Sequence, residues 1–338
     1  MDVIVLDQNF NQIAVIDYCA SVIWTERYCA NGDLELYLPA DSESLNYLKA
    51  NNLVMRPDKP ESLMVIKTLT LSTDAEGGDY ITVTGVGIAE YLGRRIVWEQ
   101  TTLTGKPVEI AVELVRLNAV NPLDGARKVP NLEIGVYPDQ TAEITKQSTG
   151  TNLLDAIVEL LEGYELGFRV VYRNEKLIFE IYKGSRVPVY FSYEFDNIIT
   201  SEYIADVSIF KNVCMVQVGT DIRDRAVVGD AEGLNRFEMF ADGDSLSGDI
   251  ISEDEFKNIM EQYGRETLEG NKATEEFEAT VDPIGNFVFG KDYCLGDIVG
   301  FENEYGIRQI ARITEVIECW DENGYSCNPT FSSTAEVE

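Results

Sequence analysis

The chain has 338 residues, enough for two or three domains, and with 45% hydrophobic residues it can bury sizeable cores. Its formal charge of −32 excludes a binding mode that neutralises phosphates, so nucleic acid and anionic membrane are repelled unless a local basic patch survives. The absence of histidine excludes Ser-His-Asp and Cys-His catalysis, His-ligated zinc and imidazole acid–base chemistry.

Residues 1–98 read as β-rich. VIVLD and QIAVIDY are β-branched runs about the polar turn NFN, a hairpin signal. GDLELYLPA sets Leu34, Leu36 and Leu38 against Asp33, Glu35 and Tyr37, the alternation of a half-buried strand. Asp41 is placed to cap a short helix through SESLNYLKA. LMVIKTLTLST and DYITVTG follow as strands about the turn DAEGG, where glycine takes positive φ at little cost. The next run, GVGIAEYLG, lacks the third glycine and the βαβ setting of a dinucleotide site, so Gly85 and Gly87 are expected to serve a bend.

Residues 99–200 change character. Pro107 suits the first turn of a helix through VEIAVELVRLNAV, with Val108, Ala111, Leu114 and Val115 on one face. Thr151 is the expected cap of a second helix, NLLDAIVELLEGY, whose stripe Leu153, Leu154, Ile157, Val158 and Leu161 belongs to a core. FRVVYR and LIFEIY about Asn174 make a hairpin, and the segment reads as a small α+β domain.

From residue 201 the pattern returns to strands: DVSIF, NVCMVQVG and RFEMFA. A polar helix near 252–270 follows, with Ser252 as cap and Glu255 at the capping-box position. EEFEATV, FVFG, DIVGFE, RQIARITEVIECW and YSCNPTF complete this part, and 332–338 reads as a flexible tail. The expected domains are thus 1–98, 99–200 and 201–331.

The stretch NLVMRPDKPESLMVIKTLTLSTDAEGGDYITVTG shares its plan with DIVGFENEYGIRQIARITEVIECWDENGYSCNPTF. The Asp74 turn corresponds to the Asp321 turn, and Ile66 to about Ile313. The echo implies two similar β-barrels at opposite ends of one chain, and three chains would then present six like modules around an axis.

Little chemistry is available. Cys19, Cys29, Cys214, Cys294, Cys319 and Cys327 form no CxxC pair, so they are expected to be reduced, mostly buried thiols. The N-terminus lacks the pattern of a signal peptide, and no run of 18 apolar residues occurs, so synthesis in a cytoplasm without membrane insertion is expected. Paired carboxylates remain the one catalytic option, with Asp242 and Asp244 or Asp321 and Glu322 as candidates for a carboxylate-dependent glycan or peptidoglycan hydrolase. Solvated turns are the simpler reading. The loop DGDSLSGD begins like a calcium loop, but Leu246 and Gly248 stand where oxygen ligands are wanted. Trp24, Tyr28, Tyr37, Tyr91 and Trp98 could form the platform of a carbohydrate-binding surface module, although packing is the default for such residues. No catalytic, cofactor-binding or metal-binding residue is assigned.

The runs RFEMFADGDSL, GRETLEGNKATEEFEATVD, VFGKDYCLGDIV and GIRQIARITEVIE are similar to those of tail-tip hub proteins of long-tailed bacteriophages and prophages. So is the order SVIWTERYCANGDLELYLPA, polar helix, ESLMVIKTLTL, and the resemblance extends to about Phe331. YCLGDIV followed by ARITEVIE carries most of it. The resemblance implies an α+β, β-rich fold like that of a baseplate hub: two barrel-like tube domains, with a smaller α+β domain between them. It implies a non-enzymatic virion protein at the tail tip, a homotrimer with pseudo-sixfold symmetry that docks to the distal tail ring. Tape measure protein and a receptor-binding or tip protein are further implied partners, and phage DNA passes only in transit. An acidic channel wall would not hold that DNA. Hubs of this type often continue into receptor-binding or wall-degrading regions, whereas this sequence stops soon after the second barrel. Neither activity is therefore expected of it.

Overall fold

In the computed structural model, which describes residues 1–74, 78–140, 142–219, 225–246, 252–283 and 285–333, the chain divides into two units. One comprises residues 1–90, 167–204 and those from 276 onward; the other comprises 91–166 and 205–275. The expected boundaries at 98 and 200 do not coincide with this division. The hairpin over 167–182 joins the first unit, and the helix near 252–270 joins the second. Long-range strand pairing, rather than proximity along the chain, decides which segments share a core.

In the first unit, Val3–Leu6 pairs with Gln12–Ile16 about a turn where the Asp7 carboxylate accepts the N–H groups of Asn9 and Asn11. Ser21–Arg27 pairs with Asp33–Pro39, then comes Gly78–Gly87, and then Lys59–Asp74. Trp24, Leu34, Leu36, Leu38, Ile81 and Val83 face inward and build one core. A second core is aromatic, with Phe191, Phe277, Phe301, Phe331 and Tyr293 in mutual contact. Strand Arg308–Asp321 belongs to both regions. Its first part pairs with Ile298–Glu302 and its second, from Glu315 to Trp320, with Ser21–Arg27, so both cores share one thirteen-stranded sheet.

The echo between the two long hairpins extends to an irregularity. Lys59–Asp74 shifts register against its partner between Ile66 and Thr68, and Arg308–Asp321 does so between Ile313 and Glu315. Each shift lies the same interval before the strand's last residue, Asp74 or Asp321. A bulge bends and twists a strand locally, so the two hairpins curve at equivalent points. The DAEGG turn of the first hairpin and the tail after Ser333 lie largely outside the described residues.

The run YCLGDIV forms an interlocked turn. Gly296 has φ +90°, a region that favours glycine, and the Asp297 carboxylate accepts from the N–H of Cys294 at 2.8 Å and of Ser185 at 2.9 Å. Buried Arg312 donates to the Gly296 carbonyl at 2.8 Å. Leu295 packs against the second core, and Ile298 and Val299 are buried. The 182–186 segment passes so close that a Cβ on Gly184 would overlap the Gly296 carbonyl. Gly184→Ala is expected to lower stability by on the order of 3 kcal/mol, because both contacting groups are backbone and neither can rotate away. A thermal melt within about 2 °C of wild type would refute this.

In the second unit, Pro107 opens the helix Pro107–Val115 as expected, and Arg116–Val120 continues it as a π-helix. Helix Leu153–Glu162 is capped not by Thr151 but by Asn152, whose side chain accepts from Leu154 and Asp155; the Thr151 carbonyl is instead taken by the Val97 N–H. Helix Glu253–Glu269 carries the expected capping box of Ser252 and Glu255. It covers a three-stranded sheet, Val213–Gln217 flanked by Arg225–Val228 and Glu238–Asp242. Three local readings change. The helix after Asp41 is a single turn, Ser44–Tyr47, although Asp41 does accept its first N–H groups. The strand expected at DVSIF ends by Asp206, where its carboxylate takes the Ser208 N–H and turns the chain. FVFG is not a strand; Phe287 and Phe289 turn toward the second core instead.

Candidate functional site

Strand pairing in the first unit gathers the outward residues of seven neighbouring strands onto one face. Residues directly opposite in an antiparallel pair point to the same side. Outward from Asp33–Pro39, Glu35 and Tyr37 stand beside Thr84 and Thr82, which in turn oppose Thr68 and Thr70. The Thr68 and Thr84 hydroxyls are 2.6 Å apart, and the Tyr37 ring stacks on Tyr80 at 4.8 Å. In the other direction Ile23 and Ser21 oppose Glu35 and Tyr37, and Cys319 opposes Ile23. Ser326, Asn328 and Thr330 then oppose Cys319, Ile317 and Glu315, and Glu278 opposes Thr330. The other side of the same strands carries the buried leucines, phenylalanines and valines.

This face is polar and acidic. A shallow cleft of about 340 Å³ crosses it, lined by Glu202, Glu278, Thr280, Glu315, Asn328 and Thr330. Thr280 donates to Asn328 at 2.7 Å, and Ser332 to Glu276 at 3.3 Å. Arg27, opposite Glu315 in the strand pairing, is held between Asp33 and Glu315, each 2.6 Å away. Burial pulls its pKa down, but hydrogen bonds and charge from the two carboxylates outweigh that and hold it above the ordinary arginine value. The side chains present hydroxyls, amides and carboxylates to whatever lies beside them, a surface that hydrates well and repels phosphate.

A larger cavity of about 430 Å³ in the same unit uses its charges internally. Glu26 pairs with Lys59 and accepts from Ser62, Asp297 closes the turn described above, and Arg169 binds Glu180.

Three of the four carboxylates named from sequence serve turns. Asp242 accepts the Asp244 N–H, Asp244 accepts the Gly219 N–H at 2.6 Å, and Asp321 accepts the Asn323 N–H. Neither pair lines the larger cavity. Leu246 is buried, and the rest of that acidic loop, including Gly248, lies outside the described residues. Among the described residues, no three Cys, Asp or Glu side chains are grouped to hold a metal ion. All six cysteines are free thiols, Cys294 being exposed. The aromatic residues are not brought together: Trp24 and Tyr28 are buried, Tyr37 lies on the polar face, and Tyr91 and Trp98 belong to the second unit. Gly85 and Gly87 close the end of a strand, where a Cβ on Gly85 would press on the Val65 carbonyl at 2.8 Å. No helix among the described residues is long and apolar enough to cross a membrane.

Sequence reasoning found the alternation of GDLELYLPA but not the face it helps to build, because nothing in a strand's period names its neighbours. It also missed two buried ion pairs, Arg56 with Glu318 and Lys146 with Glu266.

A family model described as Siphovirus ReqiPepy6 Gp37-like protein matches residues 2–331. None of the curated proteins matches the chain. Among solved structures, the chain is similar to the 43 kDa tail protein of prophage MuSo2 from Shewanella oneidensis, at 12% identity and TM-score 0.61 over 98% of each chain. It is also similar to prophage tail protein gp18 from Listeria monocytogenes EGD-e, at 14% identity and TM-score 0.57, over 100% of this chain and 96% of that one. The tail protein from Neisseria meningitidis MC58 matches at 10% identity and TM-score 0.59, over 98% of this chain and 96% of that one. At these identities the likeness establishes the fold.

Proposed function

Because this chain belongs to the Siphovirus ReqiPepy6 Gp37-like protein family, a phage tail protein family, we propose that it is a non-catalytic virion component forming a trimeric hub ring at the distal tail tip. The ring docks to the distal tail ring, contacts the tape measure protein and a receptor-binding or tip protein, and serves as conduit or gate for DNA release. The chain is made in the host cytoplasm. The observation that carries the reading is the continuous polar, acidic face of the first unit, backed by two cores and flanked by two like hairpins. Three subunits would place six such hairpins around an axis, each region acting as one tube-like barrel module. A channel wall of hydroxyls and carboxylates supports passage of DNA because it offers the phosphates no counter-charge.

The direct test mixes the purified chain with the distal tail ring protein and reads mass by light scattering and shape by electron microscopy. A three-fold ring seated on the distal ring is expected; a stable dimer, or no binding to the distal ring, refutes the hub reading. The wall has its own test. Glu202→Lys, Glu276→Lys and Glu278→Lys together are expected to leave the fold intact and to raise affinity for duplex DNA roughly tenfold or more at low salt. DNA release from particles carrying the variant should slow. Unchanged DNA binding and release would remove this face from the channel.

A further inference from the structure

The second unit carries a basic, aromatic patch that departs from the acidity of the rest. Arg94 and Arg95 precede the bridge residue Ile96, and Arg127 and Lys128 follow the turn at Gly125. The guanidinium of Arg127 lies 4.9 Å from the ring centre of Trp98, which is 60% exposed, and Leu123, four residues before Arg127, is 93% exposed. Among the described residues no carboxylate forms an ion pair with Arg95, Arg127 or Lys128. Their hydrogen bonds serve to hold the patch rigid. Arg95 donates to the Arg127 carbonyl at 2.6 Å, Arg127 donates to the Ile96 carbonyl at 2.7 Å, and the Trp98 N–H donates to Asn118 at 3.1 Å. Val97 is strapped on both sides, its N–H to Thr151 and its carbonyl to Gly150. Burial, with the charges of Arg127 and Arg94, pulls Arg95 below the ordinary arginine value, the signature of like charges held together. The adjacent π-helix Arg116–Val120 is a rare backbone form that is frequent at functional sites.

We infer that this patch docks onto an acidic face of a second copy of the chain. Charge complementarity argues for that occupant, since with 59 acidic against 27 basic residues a neighbouring copy offers a large excess of carboxylates. Tryptophan and arginine are also the side chains most often dominant in protein interfaces, and a rigid presentation lowers the entropy lost on binding. A basic patch repels its own copy, so it must meet a different part of the neighbouring chain; where that contact is heterologous and closes, it forms a ring.

The inference deepens the trimeric ring reading and rests on it. The test is the mass of the full chain by light scattering across concentrations and from about 0.05 M to about 0.5 M salt, over which the screening length contracts severalfold. Two variants accompany it, Trp98→Ala and the pair Arg94→Glu with Lys128→Glu, all at exposed positions and checked for unchanged circular dichroism. Wild type is expected to associate beyond the monomer at low salt and to dissociate as salt rises, while both variants stay monomeric. A trimer that survives both variants removes the patch from the interface and leaves the ring standing. Association indifferent to salt overturns the acidic partner, and a wild type monomeric throughout overturns self-docking; the ring is then judged by its docking to the distal tail ring.

Discussion

Arg56→Met should lower unfolding free energy by about 3–5 kcal/mol, the cost of leaving a buried charge without its partner. Arg56 is 3% exposed and Glu318 6% exposed, so neither can recover its hydration. The guanidinium lies 5.5 Å from the Trp24 ring and 4.5 Å from the Trp320 ring, and Tyr325 donates to Glu318 at 2.9 Å. Burial opposes its charge, but Asp58 and Glu318 together hold its pKa above the ordinary arginine value. The pair ties the hairpin after Leu53 to the last long hairpin, joining stretches far apart in the chain. Urea unfolding followed through Trp24 and Trp320 fluorescence, in a Trp98→Phe background, measures the loss. A deficit below about 1 kcal/mol would mean that the site collapses or hydrates without penalty. Removing both charges, as Arg56→Met with Glu318→Leu, should restore much of the stability, because no buried ion then lacks its partner.

Lys146→Met is expected to cost the second unit a similar amount, about 3–5 kcal/mol, for the same reason. Lys146 projects from strand Ile144–Ser148 and meets Glu266 of helix Glu253–Glu269 at 2.5 Å, both under a tenth exposed. Gln262, one turn before Glu266, donates to the same carboxylate at 3.0 Å and would be the one remaining side-chain donor in the variant among the described residues. This pair orients the helix over the sheet, so hydrogen exchange along Glu253–Glu269 should quicken in the variant while the first unit's strands stay protected. Equal loosening of both units would show that they unfold together.

Much of the secondary structure was legible because its causes are local. The capping box at Ser252 and Glu255, Pro107 at a helix start and Asn174 with Glu175 at positive φ in a hairpin turn each depend on residues within a few positions. The misread elements show local signals outvoted. DVSIF has strand-forming residues, yet Asp206 captures the Ser208 N–H and turns the chain; Thr151 lost the cap to Asn152 because its carbonyl was engaged elsewhere. The site was less legible. Leu34, Leu36 and Leu38 announced a buried side and therefore an exposed one, but the residues beside Glu35 come from positions 23 and 84.

By itself, then, the sequence determined the charge that forbids phosphate binding over most of the surface, the missing imidazole chemistry, the alternation of individual strands and the echo of one long hairpin in another. Tertiary structure alone decided that strand Arg308–Asp321 pairs with Ser21–Arg27, that one polar face results, and that Arg56 finds Glu318 while Lys146 finds Glu266. The physical reason is the range of the interactions. Side-chain periodicity and caps are set within a turn or a pleat. Strand neighbours and buried charge partners follow from which arrangement of the whole chain hides the most apolar surface with every buried polar group satisfied.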